Sequence, residues 1–250
     1  MKHYTNIPVS LCEFALVNRK INQLKLYVYL KLNSDGYIEF NHQRLAIWAY
    51  ELGISIRTAK TAIEWLINNK WLTVNGKRNS LHIISYKNLG RKLHLQFGTG
   101  VILDITNQID YKHFKSFCCA SVITFYLNKK RYFNKQSAIN KGIAKTNCKR
   151  INGFYPMANS YLAKCINVST TTAYRIKKDA EVSGFITTKS EFSHIETKSG
   201  RKVDKYSYET IWYSIVKEGL PNRLRRGKKY LLQVESDLIR SVLKLKAKRL

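Results

Sequence analysis

Carboxylates are scarce in this chain. Sixteen Asp and Glu stand against 44 Lys and Arg in 250 residues, a formal charge of +28 with a pI near 10.0. Long apolar runs are missing too: none approaches the ~20 residues that cross a bilayer. The one stretch resembling a secretory signal, Ile7 to Val17, is broken by Ser10 and Glu13. The five cysteines are odd in number and include no C-x-x-C pair, which argues against a disulfide framework and against a zinc site. A cytoplasmic location is therefore expected.

Catalytic signatures are equally thin. The carboxylates include no D-x-D and no pair at helical spacing beside a histidine, which leaves little for a two-metal nuclease or polymerase. His3, His42, His82, His94, His113 and His194 form no H-x-H or H-E-x-x-H group. There is no G-x-x-x-x-G-K-[ST] loop for ATP, and no Arg/His constellation that would put one of the 16 tyrosines to work as a recombinase nucleophile. The expectation is a non-enzymatic protein with no cofactor, no metal, no small-molecule substrate and no membrane partner.

What the chain does contain is enough apolar residue, 44% with 12% aromatic, to bury a real core, and a positive surplus that needs an anionic partner. The surplus is 30 Lys and 14 Arg, spread throughout: residues 1–90 carry 12 basic and 5 acidic groups, 91–153 carry 12 and 2, and 154–250 carry 20 and 9. Between Asp110 and Asp179 lie 68 residues with 14 Lys and Arg and no acid. A coding bias toward Lys and Asn explains abundant lysine but not missing carboxylates, so this stretch reads as a surface facing a polyanion.

Apolar periodicity predicts a helix over 11–32, ended by Asn33-Ser34-Asp35-Gly36. A short extended piece at 37–40 and a helix from about His42 to Leu52 follow. Ser55 then caps a helix to about Asn69, and two strands at 71–74 and 81–84 flank an Asn75-Gly76 turn. The same order recurs: a helix at 111–129, an extended piece at 154–157, helices at 159–166 and 169–183, a strand at 185–189, a basic turn at 198–202 and a return strand through Tyr206, Tyr208, Ile211 and Tyr213. Trp48-Ala49, Leu52-Gly53-Ile54-Ser55, Thr58-Ala59 and Trp71-Leu72 match Leu162-Ala163, Ile166-Asn167-Val168-Ser169, Thr172-Ala173 and Phe185-Ile186 at an offset of 114. Upstream, Gly36 to Ala46 matches Gly153 to Ala163 at 117, which implies a three-residue length difference in the second helix of each copy.

Each copy resembles a winged helix, the helix-turn-helix family whose third helix enters the major groove and whose hairpin touches the backbone. Two copies in one basic chain resemble the replication initiators of plasmids and related mobile elements. The fold class expected is α+β, mostly helical, with two winged helix-turn-helix domains in tandem. The first occupies 1–90, a linker 91–109, and the second 110–215 with a basic insertion at 131–153. A basic C-terminal extension, 216–250, is expected to be helical at its end. The resemblance implies double-stranded DNA as partner and a second unit that either binds DNA or mediates homodimerisation.

Projection at 100° per residue turns Ala59, Ala62, Ile63 and Leu66 inward and Arg57, Lys60, Thr61 and Glu64 outward. In the second copy Ala173, Ile176 and Ala180 turn inward and Thr171, Tyr174, Arg175 and Lys178 outward. Arg pairs bidentately with guanine, Thr meets a thymine methyl or a phosphate, and Glu accepts from cytosine. Any one of these alone would pass for a solvated helix face. The second copy, lacking a carboxylate like Glu64, is expected to be the stronger reader. Lys77 and Arg78 in the first turn, and Lys198, Arg201 and Lys202 in the second, are candidates for positioning on phosphates. Lys141, Lys145 and Lys149, four apart and beside Arg150, are candidates for phosphate neutralisation. Three other readings stay open: a transcriptional regulator of the same fold, an RNA- or ribosome-binding basic protein, and a phage or element structural protein using winged helices as protein–protein modules.

Overall fold

The computed structural model describes residues 4–76, 79–96, 98–104, 109–140, 153–189, 192–194, 224–225, 231–233 and 237–247. These form a mixed α/β structure, mostly helical, with small antiparallel sheets.

The first unit opens with strand β1 (Tyr4–Pro8) and two helices, α1 (Val9–Val17) and α2 (Ile21–Leu32), where periodicity predicts one. The break is local chemistry: Arg19 takes a left-handed φ of 56°, the Asn18 amide donates back to the Phe14 carbonyl at 2.9 Å, and the Lys20 N–H closes on Ala15. Asn ends a helix in this way without disturbing its apolar period, so periodicity alone runs straight through the break. Helix α2 is buried without interruption from Leu24 to Leu30, Lys25 included, whose ammonium donates to the Leu52 carbonyl. Strand β2 (Tyr37–Glu39), helix α3 (His42–Glu51), helix α4 (Ile56–Asn68) and strands β3 (Leu72–Asn75) and β4 (Ser80–Ile83) follow, closed by helix α5 (Tyr86–Lys92). The sheet order is β2-β4-β3, so β4 is central and its Leu81 and Ile83 are buried. Trp71, 1% exposed, sits beneath this sheet with its ring edge-on to Tyr27 and Trp65.

Residues 91–109, expected as a linker, contain strand β5 (Thr99–Asp104), which pairs antiparallel with β1 along its whole length, Tyr4 opposite Asp104 and Pro8 opposite Gly100. A Cβ at Gly100 would meet the Asn6 side-chain amide, which would have to turn aside. After the short helix α6 (Ile109–Lys112) comes α7 (Phe114–Asn140), 27 residues long, which absorbs the first ten residues of the expected insertion. Between Phe117 and Leu127 only Phe125 reaches even intermediate exposure, because α1 covers one side and α9 (Thr170–Val182) the other. Cys118 and Cys119 lie in that core, and burial pushes the Cys119 thiol up to about 12.

The rest of the second unit is strand β6 (Tyr155–Pro156), helix α8 (Asn159–Cys165), α9 and strand β7 (Ile186–Lys189), then a separate small sheet of β8 (Phe192–His194), β9 (Leu224–Arg225) and β10 (Leu231–Gln233) in the order β8-β10-β9. The expected return strand, 206–213, and the turn at 198–202 lie outside the described residues. Between β6 and β7 lies β11 (Leu238–Ser241), which pairs antiparallel with both. Strand β12 (Leu245–Ala247) then adds to β5, completing the sheet β1-β5-β12. Among the described residues the C-terminal extension thus forms strands near its end, not the expected helix. Its alternating Leu245-Lys246 pattern has a period of two, which suits a strand.

Just before β11, Asp237 accepts from the Lys177 ammonium at 2.8 Å, and that ammonium also donates to the Met157 carbonyl at 3.2 Å. Lys177 is 4% exposed, so removing its counter-charge strands a buried cation. Asp237→Ala is expected to cost about 3–5 kcal/mol of stability, with Asp237→Asn milder, as measured by urea unfolding of the full chain.

Candidate nucleic-acid interface

The two Ser-started helices, α4 and α9, are built alike from the backbone outward. Ser55 accepts from the Thr58 N–H at 3.1 Å, and Ser169 from the Thr172 N–H at 3.1 Å. In each copy the two hydroxyls also touch, at 2.8 and 2.9 Å. The turn into each helix closes on a left-handed residue, Gly53 (φ 61°) or Asn167 (φ 51°), with the next N–H reaching back to Ala49 or Ala163 at 3.0 Å. Asn is the residue after Gly that tolerates this conformation, which explains a Gly/Asn mismatch inside otherwise matching segments. Gly36 and Gly153 both start their copies at positive φ. Helix α3 has ten residues and α8 seven, which accounts for the step in offset from 117 to 114.

Burial divides each helix as the projection requires. Ala59, Ala62, Ile63 and Leu66 are buried, while Arg57, Lys60, Thr61 and Glu64 are exposed. Ala173, Ile176 and Ala180 are buried, and Thr171, Tyr174, Arg175 and Lys178 are exposed. Small alanines on the inner face let each helix approach its partner closely, α2 and α3 for the first and α7 and α8 for the second.

Two outward groups are not free to act as bare donors. The Thr61 hydroxyl donates to the Arg57 carbonyl at 3.0 Å, leaving its methyl and a lone pair outward. The Lys178 ammonium sits 2.8 Å from Glu181, which a short hydrogen bond from Thr188 holds in place. This bond and ion pair raise the Lys178 pKa, and the hydrogen bonds to Glu181 bring the carboxyl below its ordinary range despite partial burial. The second face thus has a carboxylate one turn along, paired within the helix, whereas Glu64 stands on the first face itself.

Lys77, Arg78, Lys141, Lys145, Lys149, Arg150, Lys198, Arg201 and Lys202 lie outside the described residues. Other cations emerge that the sequence reading did not single out. Lys189 on β7 and Arg240 on β11 both lie over the Phe154 ring, 4.7 and 5.1 Å from its centroid. No spacing rule could pair them, since they meet only because β11 inserts beside β7. Lys87, Arg91 and His94 line a cleft of about 540 Å³ between α5 and β1, floored by Asn6, Pro8, Tyr86 and Gly90. Lys87 and Arg91 stand four apart on α5, whereas His94 lies beyond its C-cap at a left-handed φ of 52°. Among the described residues no group of three or more His, Cys, Asp or Glu is placed to hold a metal ion, and no helix is long and apolar enough to cross a membrane.

The Ser caps give a direct check on this local construction. Ser55→Ala and Ser169→Ala should each destabilise the protein by about 1 kcal/mol, read by denaturant unfolding, while Ser→Asp at either position should restore most of the loss.

Comparison with protein-family models, curated proteins and solved structures gives no significant match to this chain in any of the three.

Proposed function

We propose that this chain is a non-enzymatic, sequence-specific double-stranded DNA-binding protein made of two winged helix-turn-helix units, acting as a replication initiator of a plasmid, phage or mobile element. The observation that carries the reading is the duplicated construction of α4 and α9: each is Ser-capped, entered through a left-handed turn, packed by alanines and flanked by a three-stranded sheet. Each also turns Arg, Lys and Thr outward in a chain of net charge +28. A helix about 10–12 Å across fits the major groove.

In this reading Arg57 and Arg175 are the guanine readers and Thr171 and Tyr174 contact backbone or a thymine methyl. Glu64 selects cytosine in the first unit. Lys178, drawn aside by Glu181, serves the phosphate backbone, so the two units are more evenly matched than a face free of carboxylates would make them. A homodimer on repeated half-sites is the assembly this implies, and the cytoplasm is its location. Operator binding by a transcriptional regulator would use the same residues.

Selection of bound duplexes from a random DNA pool at about physiological salt tests the reading, since charge-only binding fades there. Enrichment of a defined motif is expected; no enrichment, with generic DNA or RNA binding retained, would reject it in favour of a basic RNA- or ribosome-binding protein. On the selected site Arg175→Ala should cost about 1–3 kcal/mol and relax preference at one base position. Glu181→Gln should instead tighten all duplexes alike and steepen the salt slope by about 0.9, as the freed ammonium takes up a phosphate.

A further inference from the structure

Helix α7 is core up to Leu127 and then changes character abruptly. Asn128, Lys129, Arg131, Tyr132 and Phe133 are all exposed, Tyr132 by 59% and Phe133 by 54%. The two rings lie against each other, centroids 5.9 Å apart and tilted at 69°. Lys130 anchors this end of the helix: its ammonium donates to the Pro156 carbonyl at 2.9 Å and lies 5.1 Å above the Tyr161 ring. The Lys129 ammonium lies 5.9 Å from the Tyr126 ring centroid, and Glu13, whose carboxyl feels the Lys129 charge, accepts from the Tyr126 hydroxyl at 3.1 Å. The whole helix lies in the acid-free stretch between Asp110 and Asp179.

We infer that Tyr132 and Phe133, flanked by Lys129 and Arg131, form a stacking site for the unpaired bases of a single-stranded nucleic acid. The reasoning is chemical. Two adjacent aromatic rings held out in water on a rigid helix present flat π-faces. The cations on the same turn attract a phosphate backbone, and unpaired bases supply a matching π-face at every nucleotide. A duplex keeps its base faces stacked inward and offers these rings nothing, so this surface differs in kind from the outward faces of α4 and α9. An apolar protein segment would gain from the rings but would have to desolvate Lys129 and Arg131. The inference does not depend on duplex recognition by α4 or α9.

The test is binding of a labelled single strand of twelve thymidines, which forms no duplex, to the full chain at about physiological salt. The intact protein should bind it, and should bind a twelve-unit abasic strand of equal charge markedly more weakly. Tyr132→Ala with Phe133→Ala should lose roughly 5- to 150-fold in affinity per stacked base while leaving duplex affinity unchanged. Tyr132→Trp should retain binding. Lys129→Ala with Arg131→Ala should flatten the salt slope by about 0.7 per lost phosphate contact. Failure of the intact protein to bind the thymidine strand, equal affinity for the abasic strand, or an undiminished affinity in the double aromatic variant would each overturn the inference. Loss of duplex selectivity in the Arg175→Ala variant would leave it untouched.

Discussion

Burial of α7 on both sides is the constraint from which the rest of the architecture follows. A helix buried on one face needs one partner; this one, apolar on both faces from Phe117 to Leu127, needs two, and it finds α1 in the first unit and α9 in the second. The core it creates is continuous from Ile7 through the Trp71 cluster to Ile239. Polar contacts tune this packing without replacing it. Tyr126 donates to Glu13 across α7 and α1, Lys115 pairs with Asp179 at 2.6 Å across α7 and α9, and Thr124 meets Ser241 at 2.6 Å beside β11. Burial raises the Glu13 pKa, so the carboxyl is most comfortable when protonated. Its contribution to stability is present below the ordinary carboxylate range and falls away as pH rises through the raised value.

Six of the sixteen carboxylates are held in hydrogen bonds or ion pairs among the described residues. Glu39 pairs with Arg44, Glu51 accepts from Tyr29, Glu13 from Tyr126, Asp179 from Lys115, Glu181 from Lys178 and Thr188, and Asp237 from Lys177. Four of these six pairings spend a Lys or Arg on the acid, so they leave the net charge unchanged. The surplus of +28 is carried by the cations left over. It bears on steering and non-specific attraction more than on the fold.

Two kinds of surface result. The outward faces of α4 and α9 carry hydrogen-bonding side chains on helices held by caps and alanine packing. Beyond Leu127, α7 carries the exposed rings of Tyr132 and Phe133 with exposed Lys129 and Arg131. The difference arises from position. Helices α4 and α9 pack on sheets and on neighbouring helices, whereas α7 continues beyond its buried stretch and carries Tyr132 and Phe133 exposed.

Local rules and the repeat were enough to place β2 to β4, α3, α4, α8 and α9, and to separate the inner from the outer face of both Ser-capped helices. These features depend on near neighbours in the chain: caps act within three residues, left-handed turns within five, and helical faces repeat every 3.6. The break at Arg19 escaped because an Asn-led turn left the apolar period intact. What only the tertiary structure decided involves partners far apart in sequence. Strand β5 belongs to a sheet with β1 and β12, β11 closes the second sheet about fifty residues after β7, and Lys177 takes its counter-charge from Asp237. A strand records its own face in its alternation but not the identity of the strand beside it. Backbone hydrogen bonds are the same for every partner, and only competition within the packed core selects one.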